Sequence, residues 1–230
     1  MTVLFVGMTI LLFLTLDAIV RRSRGRADVA AADIQSAARG YPVRLPEGIF
    51  FARSHTWMSL LPSGKIRLGV DDFVGRLLDS PSISYLKEPR QRVQKGEPIL
   101  VLTEGDHSLT IRAPMEGEIL ERNDRLIKEP NMLKEMLFTD GWAYTIVPTR
   151  HSDMKHLLLG EETRMWIAEE FCRLRDLFAK EGGTNNIIPA LLQDGGPPVE
   201  GALKCVQPQT WEQFDVMFLR EAGEELPHFK

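Results

Sequence analysis

Between Ile49 and Pro148 the chain breaks into short apolar runs separated by turn residues, and this spacing constrains the fold more than any other feature. The runs include Lys65-Ile-Arg-Leu-Gly-Val70, Pro98-Ile-Leu-Val-Leu-Thr103, Leu109-Thr-Ile-Arg112, Glu118-Ile-Leu-Glu121 and Trp142-Ala-Tyr-Thr-Ile-Val147. Many short strands at such intervals predict a small, mainly β barrel or sandwich over residues 49–150. The periodicity then changes. Ile167, Phe171, Leu174 and Phe178 recur at three- and four-residue steps, and Trp166 and Leu177 widen the stripe, so a helix is expected within 151–181, packed on the β region, with a partner-binding helix as the alternative. Clustered glycine and proline, including Gly195-Gly-Pro-Pro198, predict a linker over 182–208.

A last amphipathic helix is expected over 209–222. Thr210 and Gln213 have the spacing of a capping box, and Trp211, Phe214, Met217 and Phe218 form the apolar face. So short a helix cannot bury that face alone and must dock on the β region or on a partner, which makes these four residues candidate partner contacts.

The amino terminus belongs to another environment. Val3 to Val20 is apolar except for Asp17, close to the minimum for a membrane span. Asp17 stands four residues before Arg21, so the two can meet on one helix face. A secretory signal carries its basic residues before the apolar core. Here Arg21, Arg22, Arg24 and Arg26 follow it. That order predicts a retained single-pass anchor over 1–26 in the inner membrane, with the bulk of the chain in the cytoplasm and the arginines near anionic headgroups. Residues 27–48 are read as a spacer. Cys172 and Cys205 lie far apart and outside any CxxC pattern, which fits free thiols in a reducing compartment rather than a disulfide or zinc site. A net charge of -4 gives no reason to expect nucleic acid as a partner.

An ordered set of short motifs runs through the β region. It comprises His55-Thr56-Trp57, Gly69-Val70-Asp71-Asp72-Phe73, Gly96-Glu97-Pro98, Ala113-Pro114-Met115-Glu116-Gly117-Glu118, Glu129-Pro130-Asn131-Met132-Leu133 and Gly141-Trp142. Together these resemble the glycine cleavage system H protein family over about a hundred residues. The resemblance implies a barrel-sandwich hybrid of the lipoyl/biotinyl-like kind, with a hairpin that presents a lipoyl-lysine. The family lysine falls on Asp106, and the family's E-S-V-K-A is replaced by Thr103-Glu104-Gly105-Asp106-His107. A carboxylate cannot form the amide to lipoate, and no lysine lies between Lys95 and Lys128. No cofactor is therefore expected. Gly105-Asp106 between two apolar runs still reads as a hairpin turn.

Asp106, His107 and Ser108 are the residue types of a nucleophilic triad, but neighbours in one turn rarely reach the required mutual geometry, so no catalytic role is expected. His107 has no evident companions as a metal ligand, and His55 reads as a packed residue on a strand. The function expected is that of a non-lipoylated adaptor or accessory subunit of a protein complex at the membrane. One alternative is a lipoyl carrier of glycine cleavage or related one-carbon or sulfur metabolism that uses an atypical lysine. Another is an exported adaptor of the membrane-fusion type, which the arginine asymmetry and the lack of long paired heptad helices oppose.

Overall fold

The computed structural model describes residues 44–181 and 200–220. The expected anchor over 1–26 lies outside them. So do the spacer up to residue 43, most of the expected linker, and residues 221–230. Among the described residues no helix is long and apolar enough to cross a membrane.

The fold is mainly β. The strands are β1 (Ile49–Ala52), β2 (Thr56–Leu60), β3 (Ile66–Val70), β4 (Ser82–Tyr85), β5 (Arg92–Val93), β6 (Pro98–Glu104), β7 (His107–Arg112), β8 (Gly117–Arg122) and β9 (Tyr144–Pro148). They form a six-stranded sheet in the order β1-β2-β3-β9-β8-β5 and a three-stranded sheet in the order β4-β6-β7. Every pairing in both sheets is antiparallel. The alternation that marks a half-buried strand is clearest in β7, where Leu109 and Ile111 face the core while Ser108 faces solvent. Three short helices follow strands of this unit: α1 (Asp72–Leu77) after β3, and α2 (Arg125–Lys128) and α3 (Met132–Glu135) after β8. Helix α4 (Glu161–Glu181) and helix α5 (Pro208–Phe218) complete the described chain.

The predicted stripe on α4 is the face that packs. Trp166, Ile167, Phe171, Leu174, Leu177 and Phe178 are all buried in the one apolar core. The end of the predicted linker is corrected by the structure. Residues 202–205 form a 3-10 helix whose Ala202 and Leu203 are fully buried. The Gly201 N–H donates to the Arg76 carbonyl at 2.9 Å, so this stretch is docked on α1 rather than a free connection. The predicted capping box is corrected as well. Helix α5 starts earlier, with Pro208 in its first turn, where a missing N–H costs nothing. Its N-cap is Gln207 and no side chain caps it, while Thr210 is buried inside the helix.

Tyr144 of β9 ties the two sheets together. Its hydroxyl lies 2.8 Å from the Ile99 carbonyl on β6 and accepts the Lys87 N–H at 3.3 Å. Tyr85 packs edge-on against the Tyr144 ring, with centroids 5.1 Å apart, and donates to the Asn123 carbonyl at 2.7 Å. Burial is the larger cause of a raised phenol in both: Tyr144 is pushed up to about 12, and Tyr85 is driven further in the same direction. The unfolded chain sheds these protons near 10.0, before the folded chain does. Above that pH the native state binds more protons than the unfolded state, so stability falls as pH rises. The expected result is a drop in the unfolding midpoint from about pH 10 to pH 12, flattened in Tyr144→Phe. Denaturant melts across that range measure it, and equal slopes for wild type and variant would contradict it.

Candidate functional site

The hairpin at the family modification position forms as the sequence predicts. Strands β6 and β7 pair from Val101↔Thr110 through to Glu104↔His107, which leaves Gly105-Asp106 as the two-residue turn. Gly105 has φ +60°, the left-handed conformation that such a turn needs and that glycine adopts without strain. Asp106 is exposed at the tip.

The turn is held to the body of the protein. The Glu104 carboxylate accepts the backbone N–H of Asp79 at 3.0 Å and of Ser80 at 2.9 Å. Asp79 is fastened in its turn by Lys204, whose ammonium lies 3.1 Å from the Asp79 carboxylate, and by Lys134, whose ammonium donates to the Asp79 carbonyl at 2.7 Å. The base of the tip is thus braced by a segment near residue 80 and by the 3-10 helix before α5.

The other flank of the hairpin is covered by α5. Strand β7 is an edge of the small sheet, and an open edge is a liability that proteins cover. Here the Thr110 N–H on that edge donates to Asp215 of α5 at 3.0 Å. Near the tip, the rings of His107 and Trp211 stack with centroids 5.2 Å apart. Further along the helix, Phe214 and Phe218 enter the core beside Phe73 of α1, with ring centroids 6.1 and 5.6 Å from it. Trp211, Phe214 and Phe218 are therefore buried within this chain, and only Met217 of the four candidate partner contacts is partly accessible. Of the two docking surfaces the sequence left open, these side chains take the chain's own β unit.

Asp106, His107 and Ser108 do not converge. Asp106 and Ser108 are exposed, and the His107 ring is engaged with Trp211. No group of three or more potential metal ligands exists among the described residues. The basic flank Arg21, Arg22, Arg24 and Arg26 lies outside the described residues.

His55 is packed as expected, but in the turn before β2 rather than on a strand. Its φ is +58° and it is fully buried. Its Nδ1 lies 2.7 Å from the Asp71 carboxylate, and its ring stacks on Phe73 at 4.3 Å and leans on Trp166 at 4.9 Å. The second Asp71 oxygen accepts the Val74 N–H at 3.1 Å and caps α1. Both residues stand in the sequence motifs, which do not show that they pair. The signal available was Asp71 standing directly before a helix, the position of an N-cap. This pair joins the turn before β2, α1, α4 and, through Phe218 at 6.2 Å from the His55 ring, α5 in one buried cluster, so its part is to fix how these helices pack on one another.

A lipoyl group needs an amine at the tip. The side chain there is the Asp106 carboxylate, and the first lysine on either side in sequence, Lys95 or Lys128, stands in the turn before β6 or at the end of α2. The tip does not fit the group.

Comparison with known proteins agrees with the motif order. Residues 49–170 match the family model described as glycine cleavage H-protein. The glycine cleavage system H protein of Methylococcus capsulatus is 30% identical over 128 residues, which cover 55% of this chain and 98% of that protein. Glycine cleavage system H protein 2 of Aquifex aeolicus is 28% identical over 121 residues, covering 51% of this chain and 74% of that protein. A crystal structure of a glycine cleavage system H protein from Mycobacterium marinum aligns over 55% of this chain and 98% of its own, at 21% identity and a TM-score of 0.47. The matched span ends inside α4, so the 3-10 helix and α5 that brace and cover the hairpin lie beyond it. With its β unit matched almost from end to end, the chain belongs to the glycine cleavage H-protein family and carries a lipoyl-carrier-like domain.

Proposed function

We propose that this protein is a membrane-anchored, non-lipoylated H-like adaptor, an accessory subunit of a larger protein complex that faces the cytoplasm. The observation that carries the reading is Asp106 at the exposed tip of an otherwise intact hairpin. The family's carrier chemistry needs a lysine amine there, and this chain keeps the scaffold without the handle. On this reading the protein acts by binding and is not an enzyme. The apolar run Val3 to Val20 and the arginines that follow it support the anchor and its orientation. The added helix α5, which covers one side of the hairpin, supports a role for the domain other than presenting a mobile arm.

The anchor and its orientation are tested on membranes. The chain is expected to stay in the membrane fraction through an alkaline wash. In sealed right-side-out vesicles its β unit should resist added protease, and it should be cleaved once the vesicles are lysed. Release by the wash, or digestion from the outside, would overturn the anchor or its orientation. Extraction in mild detergent tests the subunit reading: the chain is expected to migrate with other proteins in a particle larger than itself. Migration as a lone chain would contradict that part.

A further inference from the structure

A second feature lies away from the hairpin tip, beside the other end of α5. Trp211, near the start of that helix, stacks on His107 by the tip. Met217 and Arg220, at its far end, line a cleft of about 740 Å³. That volume is within the range of small-molecule sites, roughly 300–1,000 Å³.

Cationic residues line the cleft from five separate parts of the chain. Arg53 comes from the turn between β1 and β2, Lys95 from the turn before β6, Lys155 from the 3-10 helix at 151–156, Arg173 from α4, and Arg220 from the end of α5. Such a gathering is not a reflection of overall charge, since the chain carries a net charge of -4. Two carboxylates, Glu162 and Glu170, also line it. Glu170 is already engaged. Both of its oxygens lie 2.8 Å from Arg173 Nη1, and one accepts the Trp166 indole N–H at 2.9 Å.

The two arginines on the helices are held in place by their own partners. Arg173 Nη2 donates to the Met217 carbonyl at 2.7 Å, and its guanidinium lies over the Phe218 ring at 4.9 Å. Arg220 is anchored through Nε and Nη2 to Asp215, at 3.3 and 3.2 Å. A guanidinium has five N–H donors, so each of these arginines keeps donors beyond the ones its partners use. Arg53 and Lys155 are exposed, and no carboxylate among the described residues pairs with either. Apolar residues share the lining: Ala52, Pro114, Leu157, Leu158, Val216 and Met217.

We propose that this cleft binds a small amphipathic anion, a phosphate or carboxylate group on a short apolar body. The pre-positioned guanidiniums, with Arg53 and Lys155, which no described carboxylate pairs, take the anionic group, and the apolar lining residues take the body. The site is independent of what the hairpin tip does.

The test uses the full chain in a non-ionic detergent, with hexyl phosphate as the probe and hexanol and inorganic phosphate as controls, followed by titration calorimetry. Hexyl phosphate is expected to bind saturably and more tightly than either control. The double variant Arg53→Glu with Lys155→Glu should weaken it by at least about tenfold, the loss of one or two charge-assisted contacts, while the unfolding midpoint stays put because both side chains are exposed. Vesicles of phosphatidylcholine with and without phosphatidic acid separate the two sources of such an anion. Competition from the phosphatidic acid vesicles assigns the site to a lipid headgroup, and its absence assigns it to a free metabolite. Non-saturable binding of hexyl phosphate, or equal binding by the double variant, would overturn the proposal.

Discussion

Replacing Phe214 by alanine is expected to lower the unfolding free energy of this protein by about 3–5 kcal/mol, the usual cost of deleting a fully buried aromatic ring. Phe214 has no exposed surface, lies parallel to the Phe73 ring and stacks on Phe218 at 4.8 Å. Its removal opens a cavity between α1, α4 and α5 that the surrounding rings cannot close, because they are themselves held by His55 and by Arg173. Phe214→Asp should cost more, since it also buries a carboxylate with no partner. Val216→Asp, two residues on and 46% exposed, should change stability by less than about 0.5 kcal/mol. Urea unfolding of the three variants reads the difference. A partner-facing helix would give the opposite result: Phe214→Asp would strip a bound subunit and leave the midpoint unchanged.

Local chemistry was legible in the sequence, and contacts between distant segments were not. The strands β3, β6, β7, β8 and β9 follow from short apolar runs, and the hairpin turn follows from Gly105-Asp106. The face that α4 buries follows from its stripe. Strand β5 was hidden because Arg92-Val93 holds a single buried residue, too short for any alternation to show. The surface that α5 chooses was also hidden. Its apolar face announces that it must dock, but the docking site is set by the edge N–H of Thr110, which Asp215 accepts, and by Phe73, both far away in the chain. The 3-10 helix after Gly201 reads as linker because glycine and proline dominate its approach, although Ala202 and Leu203 are apolar and are buried in the core beside α1. Thr210 and Gln213 have the spacing of a capping box, but proline at 208 started the helix earlier and Thr210 was drawn into the core. The His55–Asp71 pair brings together motifs that are adjacent only across β2 and β3.

The central claim concerns the tip, where the expected effect is all or none. Lipoate attaches as an amide, so the acceptor must be an amine on a side chain that projects freely from the turn. Asp106 projects freely and offers a carboxylate. Within the hairpin, from Pro98 to Arg112, there is no lysine at all. Asp106→Lys places an amine at the same exposed position without altering Gly105, the residue that sets the turn. The measurement is the intact mass of wild type and of Asp106→Lys, each expressed with a lipoyl ligase and lipoate beside a lipoyl-bearing H protein as positive control. Wild type is expected to keep the mass of its unmodified sequence while the lysine variant gains one lipoyl group; a stoichiometric lipoyl adduct on the wild-type chain, at any lysine, would contradict the account.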